Sequence, residues 1–264
     1  DYESLEPHCF ASVTGDENLR EIFRKGWDFY STVAIQTENL QGVSADKKAD
    51  NYLKKLDPIK RNKAKAYSLG IAYGMEAYAL KMTLGVDQKE AERLIKGYLD
   101  GFPQLAEWRE RSREEVKAYG RITNYVGRIR HLPRVKQYYE KFDNRLMDWR
   151  FRKQLEATYG KDKVIKAYRD FRNGLNNCLN FQLQSLAAAV VNRAALVINR
   201  KAKELGIDAC VQAQVHDQLI INCDKKDVDM FAPIVQEIME TTTVLPGVTL
   251  KAPPEISDNW RDGH

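Results

Sequence analysis

In the stretch Arg61-Asn62-Lys63-Ala64-Lys65-Ala66-Tyr67-Ser68-Leu69-Gly70-Ile71-Ala72-Tyr73-Gly74, two cations, an aliphatic residue and an aromatic one recur at every fourth position: Arg61, Lys65, Leu69 and Tyr73. On a helix, members of such a series are rotated by about 40° from one to the next, so the four form one slowly drifting stripe. Asp57 and Pro58 stand where an N-cap and a first-turn proline belong. The stripe matches an extended nucleotide, with phosphates at the cationic end and a base at the aromatic end. A solvated basic face with Tyr73 in the core is the competing reading. Gly70 and Gly74 favour the nucleotide, because each weakens a helix by roughly 1 kcal/mol yet lets another group approach the backbone.

Outward from this stretch, apolar residues at three- and four-residue intervals predict helices over 18–37, 59–84, 87–99, 104–119 and 183–205, the last closed by Gly206. Strand signals are few: 122–126, 209–215 and 219–223. The last two flank His216-Asp217-Gln218, which reads as a tight β-hairpin with a polar tip. Asp217 there is either a rigidly placed carboxylate or an ordinary turn former. Asp1-Tyr2-Glu3-Ser4-Leu5-Glu6 alternates like a strand ending at a functional edge. If Asp1 and Asp217 converge through the fold, their hard oxygen donors favour Mg²⁺ and phosphoryl transfer.

The chain has 264 residues, 43% of them hydrophobic, which excludes disorder and allows one large or two small domains. Its net charge of +5 is unevenly spread: residues 109–172 hold 19 basic and nine acidic side chains, a local polyanion signal. Cys9, Cys178, Cys210 and Cys223 show no metal-ligand spacing, as in a reduced cytoplasmic protein. Apolar runs such as 186–191 are short, so no membrane partner is expected.

The combination of Asp1-Tyr2-Glu3-Ser4-Leu5-Glu6, Arg61-x3-Lys65-x3-Leu69-Gly70-x2-Tyr73-Gly74 and Val215-His216-Asp217-Gln218 resembles motifs A, B and C of the family A DNA polymerases, in that order. Connecting blocks agree: Gly15 to Leu19, Asp28-Phe29-Tyr30, Gly127-Arg128, Asn180 to Gln184, and Asn259-Trp260. The resemblance covers nearly the whole chain. It implies an α+β fold: an antiparallel-sheet palm (1–29 and 174–264, with the motif C hairpin at 209–223) interrupted by a mostly helical fingers subdomain (30–173, with the motif B helix at 58–84). It also implies template-directed DNA synthesis on primer–template DNA from dNTPs with two Mg²⁺ ions. Asp1, Asp217 and the carbonyl of Tyr2 would hold the metals. Glu6 would gate the sugar, Arg61 and Lys65 would grip the triphosphate, and Lys65 would protonate the leaving pyrophosphate. Tyr73 would stack near the nascent base pair, while Gln184, His216, Asn180 and Arg128 would meet the DNA. An upstream thumb and a possible exonuclease domain would complete such an enzyme. A non-catalytic nucleic-acid-binding relic, or a structural module of a replisome, is the alternative.

Departures from the family pattern point to a phage-type member. Leu69 replaces an aromatic ring at the nucleotide sugar. Gln218 replaces a Glu, His8 an Arg, and Tyr30 a His that can still be matched as a phosphate donor. The span from Pro133 to Asn180 is longer than in the bacterial enzymes, with a basic insertion at about 134–173.

Overall fold

The computed structural model describes residues 1–259, so Trp260 of the Asn259-Trp260 block lies outside the described residues. In chain order the elements are α1 (Leu5–Thr14), α2 (Glu17–Arg24), α3 (Phe29–Glu38), α4 (Leu53–Leu56), α5 (Pro58–Ala72), α6 (Ala77–Leu84), α7 (Gln88–Gly101) and α8 (Pro103–Tyr119). Then come β1 (Arg121–Thr123), β2 (Ile129–His131), α9 (Pro133–Phe142), α10 (Trp149–Tyr159), α11 (Lys161–Leu205), β3 (Ala209–Val215), β4 (Gln218–Cys223) and α12 (Val228–Thr241). Helices dominate, and the sheets are two antiparallel pairs, β1 with β2 and β3 with β4, so the class is α+β.

The chain divides into two compact units: Asp1–Lys25 with the chain from Gln184 on, and Gly26–Leu183. The first unit buries Tyr2, Leu5, Phe10 and Leu19 together with Leu186, Val190, Ile198, Phe231 and Leu250. In the second, α3 packs on α5 and α7, α6 on α7, and α8 on α9 and β1. Phe29, Tyr67, Ile71, Tyr98, Phe102 and Phe171 are among its buried side chains.

Helix starts follow the aspartates. Asp16, Asp28, Asp57 and Asp87 each accept a bond from a backbone N–H three residues on, satisfying a donor the helix leaves free. Two predicted helices are each interrupted. The 18–37 span breaks at Gly26, which is left-handed at φ 67°, and restarts at the Asp28 cap. The 59–84 span breaks after Ala72, because Gly74 sits at φ 97° and a Cβ there would lie 2.6 Å from the Asn176 Oδ1. Gly74 thus does admit a close neighbour. A Cβ on Gly70 would instead meet Met75 of its own chain, 2.6 Å away.

Other expectations also need correction. Residues 1–6 form no strand: Glu3 and Ser4 make a turn, with Ser4 left-handed at φ 53°, and Leu5 opens α1. The strand at 122–126 is confined to β1, and it pairs with β2, which carries too few apolar residues to show in the sequence. The helix at 183–205 starts 22 residues earlier, at Lys161. It runs through Gly174, whose missing side chain makes room for Val135: a Cβ there would lie 2.2 Å from the Val135 Cγ2. α11 is also the one described helix with an apolar window long enough to cross a membrane. Uncharged Gln and Asn between the apolar residues lengthen that window beyond the short runs visible in the sequence. Leu179, Leu183, Leu186, Val190 and Ala194 are nevertheless buried inside protein, as in a core helix.

Arg109 of α8 is 7% exposed, and its Nε and Nη1 make no hydrogen bond among the described residues. Burial lowers its pKa to about 10, helped by the neighbouring Arg113 and opposed by Glu110 and Tyr98. A buried charge without compensation costs more than a packed hydrophobe of similar size. Arg109→Leu is expected to stabilise the chain by about 1–4 kcal/mol, read as a Tm rise in thermal circular dichroism. An unchanged or lower Tm would show that Arg109 is compensated.

Candidate active site

In the first unit the motif C hairpin is closed by the pair Val215 and Gln218, leaving His216 and Asp217 as a two-residue tip. His216 is left-handed at φ 55° and exposed, while Asp217 is half-buried. Gln218, expected in the connection, is the first residue of β4. The β3 backbone is fastened to α11 at Val211, whose N–H donates to the Asn199 Oδ1 at 2.8 Å.

The N-terminal residues meet this tip. The Tyr2 N–H donates to the Asp217 carbonyl at 3.4 Å, and the Glu3 N–H donates to the Lys251 carbonyl at 2.8 Å. The Tyr2 side chain is the anchor: it is 2% exposed and its hydroxyl donates to the Met239 carbonyl at 2.7 Å. Burial pushes the phenol well above its ordinary pKa. Burial also lowers the Asp1 amino group, against the opposing fields of Glu255 and Asp217, which again puts Asp1 beside Asp217. Two aspartates 216 positions apart in the chain therefore share one locality.

Glu6 lies half-buried in the first turn of α1, where the helix dipole favours a carboxylate. His8, at the position where the family has Arg, is buried and stacks on Phe23 with centroids 3.9 Å apart. It serves packing. Among the described residues no group of three His, Cys, Asp or Glu could hold a metal ion. Two carboxylates with a main-chain carbonyl fit Mg²⁺ in kind, since that ion keeps several waters and substrate oxygens in its shell.

In the second unit, Arg61, Lys65 and Leu69 lie on α5, and Tyr73 is the residue just past its end. Arg61 is already engaged: its Nε and Nη2 donate to the two oxygens of Asp28 at 2.9 and 3.0 Å. Asp28 also accepts from the Ser31 N–H at 3.1 Å and the Ser31 hydroxyl at 2.5 Å. Burial raises the Asp28 pKa, but the bonds from Arg61 and Ser31 outweigh it and leave the carboxyl below its usual range. The Tyr30 ring lies beneath both cations, 5.1 Å from the Arg61 guanidinium and 5.9 Å from the Lys65 ammonium. Arg61 spends two of its five N–H donors on Asp28, so the others can face a phosphate. Lys65 is exposed and Leu69 half-buried.

Asp28 is the site residue that its sequence block did not reveal as such; its signal is an Asp directly before a helix, which also reads as a plain cap. The remaining expected DNA contacts fall in both units. Gln184 and His216, both exposed, belong to the first. Asn180 and Arg128 belong to the second, with the Asn180 Oδ1 buried and without a hydrogen bond among the described residues. Arg128 is exposed in the β1–β2 turn, where its N–H donates to the Asn124 Oδ1 at 2.8 Å and Gly127 supplies a φ of 81°.

Comparison with known proteins shows what the chain as a whole is similar to. The chain is 28% identical over 262 residues to DNA polymerase I of Bacillus caldotenax, covering 99% of this chain and 25% of that protein. It is 27% identical over 260 residues to the thermostable DNA polymerase I of Thermus aquaticus, covering 98% and 26%. The chain therefore spans about a quarter of the length of the curated relatives it matches. Among solved structures, the polymerase domain of Pol1 from M. smegmatis, in complex with DNA primer-template and dNTP, aligns with a TM-score of 0.74 at 23% identity. That alignment covers 95% of this chain and 37% of the other. The model of DNA polymerase family A matches residues 1–262, and the chain belongs to that family.

Proposed function

We propose that the chain carries the nucleotidyl-transfer portion of a template-directed DNA polymerase, joining a dNTP to a primer 3′-hydroxyl with release of pyrophosphate. The palm would comprise 1–29 and 174–264, and the fingers 30–173. The observation that supports this most is the Tyr2 N–H to Asp217 carbonyl bond, which holds the N-terminal residues against the motif C tip in a chain of this family. Two Mg²⁺ ions, when bound, supply charge neutralisation at the attacking and leaving oxygens.

Asp1 and Asp217, with the Tyr2 carbonyl, are the residues that would hold those ions. Glu6 crowds the sugar 2′ position and selects deoxyribonucleotides. Lys65 offers its ammonium to the triphosphate and a proton to the departing pyrophosphate oxygen. Arg61, oriented by Asp28, gives its remaining donors to the same phosphates, and Tyr30 adds a hydroxyl. Tyr73 stacks near the nascent base pair. Leu69 covers the sugar with an aliphatic surface where relatives place a ring. Gln184, His216, Asn180 and Arg128 contact the primer–template.

Single-turnover extension of a primer–template, with enzyme in excess, low salt and saturating Mg²⁺, tests this reading. Lys65→Ala is expected to slow extension about 10- to 100-fold, the worth of a hydrogen bond to a charged group. Its side chain is exposed, so the fold is expected to be unchanged, and circular dichroism checks that. Extension at the wild-type rate would remove Lys65 from the reacting phosphates.

A further inference from the structure

The segment 133–173 holds twelve basic and six acidic residues and eight aromatic ones, an aromatic density about twice that of the whole chain. Its middle helix, α10 (Trp-Arg-Phe-Arg-Lys-Gln-Leu-Glu-Ala-Thr-Tyr), buries none of its side chains. Trp149 is 62% exposed and Phe151 41%. Tyr159 packs edge-on against the buried Phe142, but Trp149 and Phe151 stand in solvent, where core packing gives no reason for such rings.

Their arrangement on the helix is informative. At 100° per residue, an arc of about 200° runs in angular order through Trp149, Lys153, Ala157, Arg150, Gln154, Thr158 and Phe151. All seven are exposed. On the rest of the helix Leu155, Arg152 and Glu156 are half-buried and Tyr159 is exposed, and Arg152 stacks on Tyr168 at 4.0 Å. The exposed arc thus sets a ring at each flank, with two cations, an amide and the small Ala157 and Thr158 between them, and Glu156 just beyond Trp149. Lys153 already lies over the Trp149 ring at 5.8 Å. Asp148, the helix cap, accepts from Arg150 at 2.8 Å but stands outside the arc.

We propose that this face of α10 is a binding site for single-stranded nucleic acid, with Trp149 and Phe151 stacking on bases and Arg150 and Lys153 on the phosphates. Rings flanking cations suit a flexible polyanion whose bases are free to stack, and a base on an aromatic ring is worth about 1–3 kcal/mol whatever its sequence. Duplex DNA keeps its bases stacked inside and would use the cations alone. In identifying the natural ligand as the unpaired template ahead of the primer end, the proposal rests on the polymerase reading. Binding of a single strand does not.

The test uses the full chain and a short fluorescein-labelled oligothymidylate, followed by anisotropy over a range of salt. The wild type is expected to bind with marked salt dependence. Trp149→Ala and Phe151→Ala should each weaken binding by about 5- to 100-fold, with unchanged circular dichroism because neither side chain is buried. Extension on a template with a one-nucleotide overhang should be unaffected in both variants, and extension on a long overhang should weaken at low DNA concentration. Equal oligothymidylate affinity in variants and wild type would overturn the proposal. So would Trp149-dependent binding to phosphatidylserine vesicles without such binding to oligothymidylate, which would make the face a membrane contact. Absence of extension by the wild type with retained, Trp149-dependent oligothymidylate binding would count against the polymerase reading and leave this site standing.

Discussion

Asp217→Asn is expected to reduce single-turnover primer extension by at least about 1,000-fold while leaving the fold intact. Asn keeps the size of the side chain and suits a tight hairpin turn as well as Asp does, so β3 and β4 should keep their register. What is lost is one of the two carboxylates that the Tyr2–Asp217 backbone bond draws together. Removing a full charge from a reacting centre of this kind costs on the order of 4 kcal/mol in barrier, which sets the factor. Parallel extension assays at micromolar enzyme, with circular dichroism on both proteins, give the answer. Equal extension by both would place Asp217 outside the reacting centre and return it to the role of turn former.

Asp28→Ala is expected to have the largest effect on stability. The substitution removes four hydrogen bonds at once and strands Arg61, whose side chain is 15% exposed. Breaking a buried pair in this way costs about 3–5 kcal/mol, a fall in Tm on the order of 10 °C. Asp28→Asn should fall less, because Asn still caps α3. The pH dependence has a definite sign. The folded carboxyl sits below its ordinary value, so its contribution is complete above the unfolded pKa of about 3.9 and fades as pH falls through the folded one. Thermal scans from neutral pH down to about pH 3 should show wild type and Asp28→Asn converging in acid; a constant gap would mean that the Arg61 pairing is not what is being lost. On the proposed function the same variants also bear on catalysis, since Arg61 without its partner would reach the triphosphate from many orientations rather than one.

Local chemistry made part of the architecture legible in advance. Asp57-Pro58 and Gly206 mark helix ends by capping rules that need no tertiary knowledge, and the structure has them as a cap and a left-handed closer. The hairpin around Asp217 is equally local. The breaks at Gly26 and Gly74 were hidden because apolar periodicity continues across them; the helix ends at the left-handed Gly74, where the Asn176 side chain, a tertiary neighbour, leaves no room for a Cβ. The early start of α11 was hidden for the converse reason: its charged first turns and Gly174 show no apolar stripe until α9 is packed against them. At the candidate site, motif order drew attention to Arg61 and Lys65, whereas the Asp28–Arg61 pair joins residues 33 apart in sequence and could not be read from either alone.

α10 has no buried side chain, and that has a consequence for how the chain can change over time. Such a segment can open transiently without disturbing what surrounds it, and substitutions along it escape the volume constraints that hold α5 and α11 in place. Its sequence is therefore answerable to whatever it touches rather than to folding. Among related chains this is where length and composition can drift with the least cost to viability, so differences between them here would record changes of partner, not repairs to the scaffold.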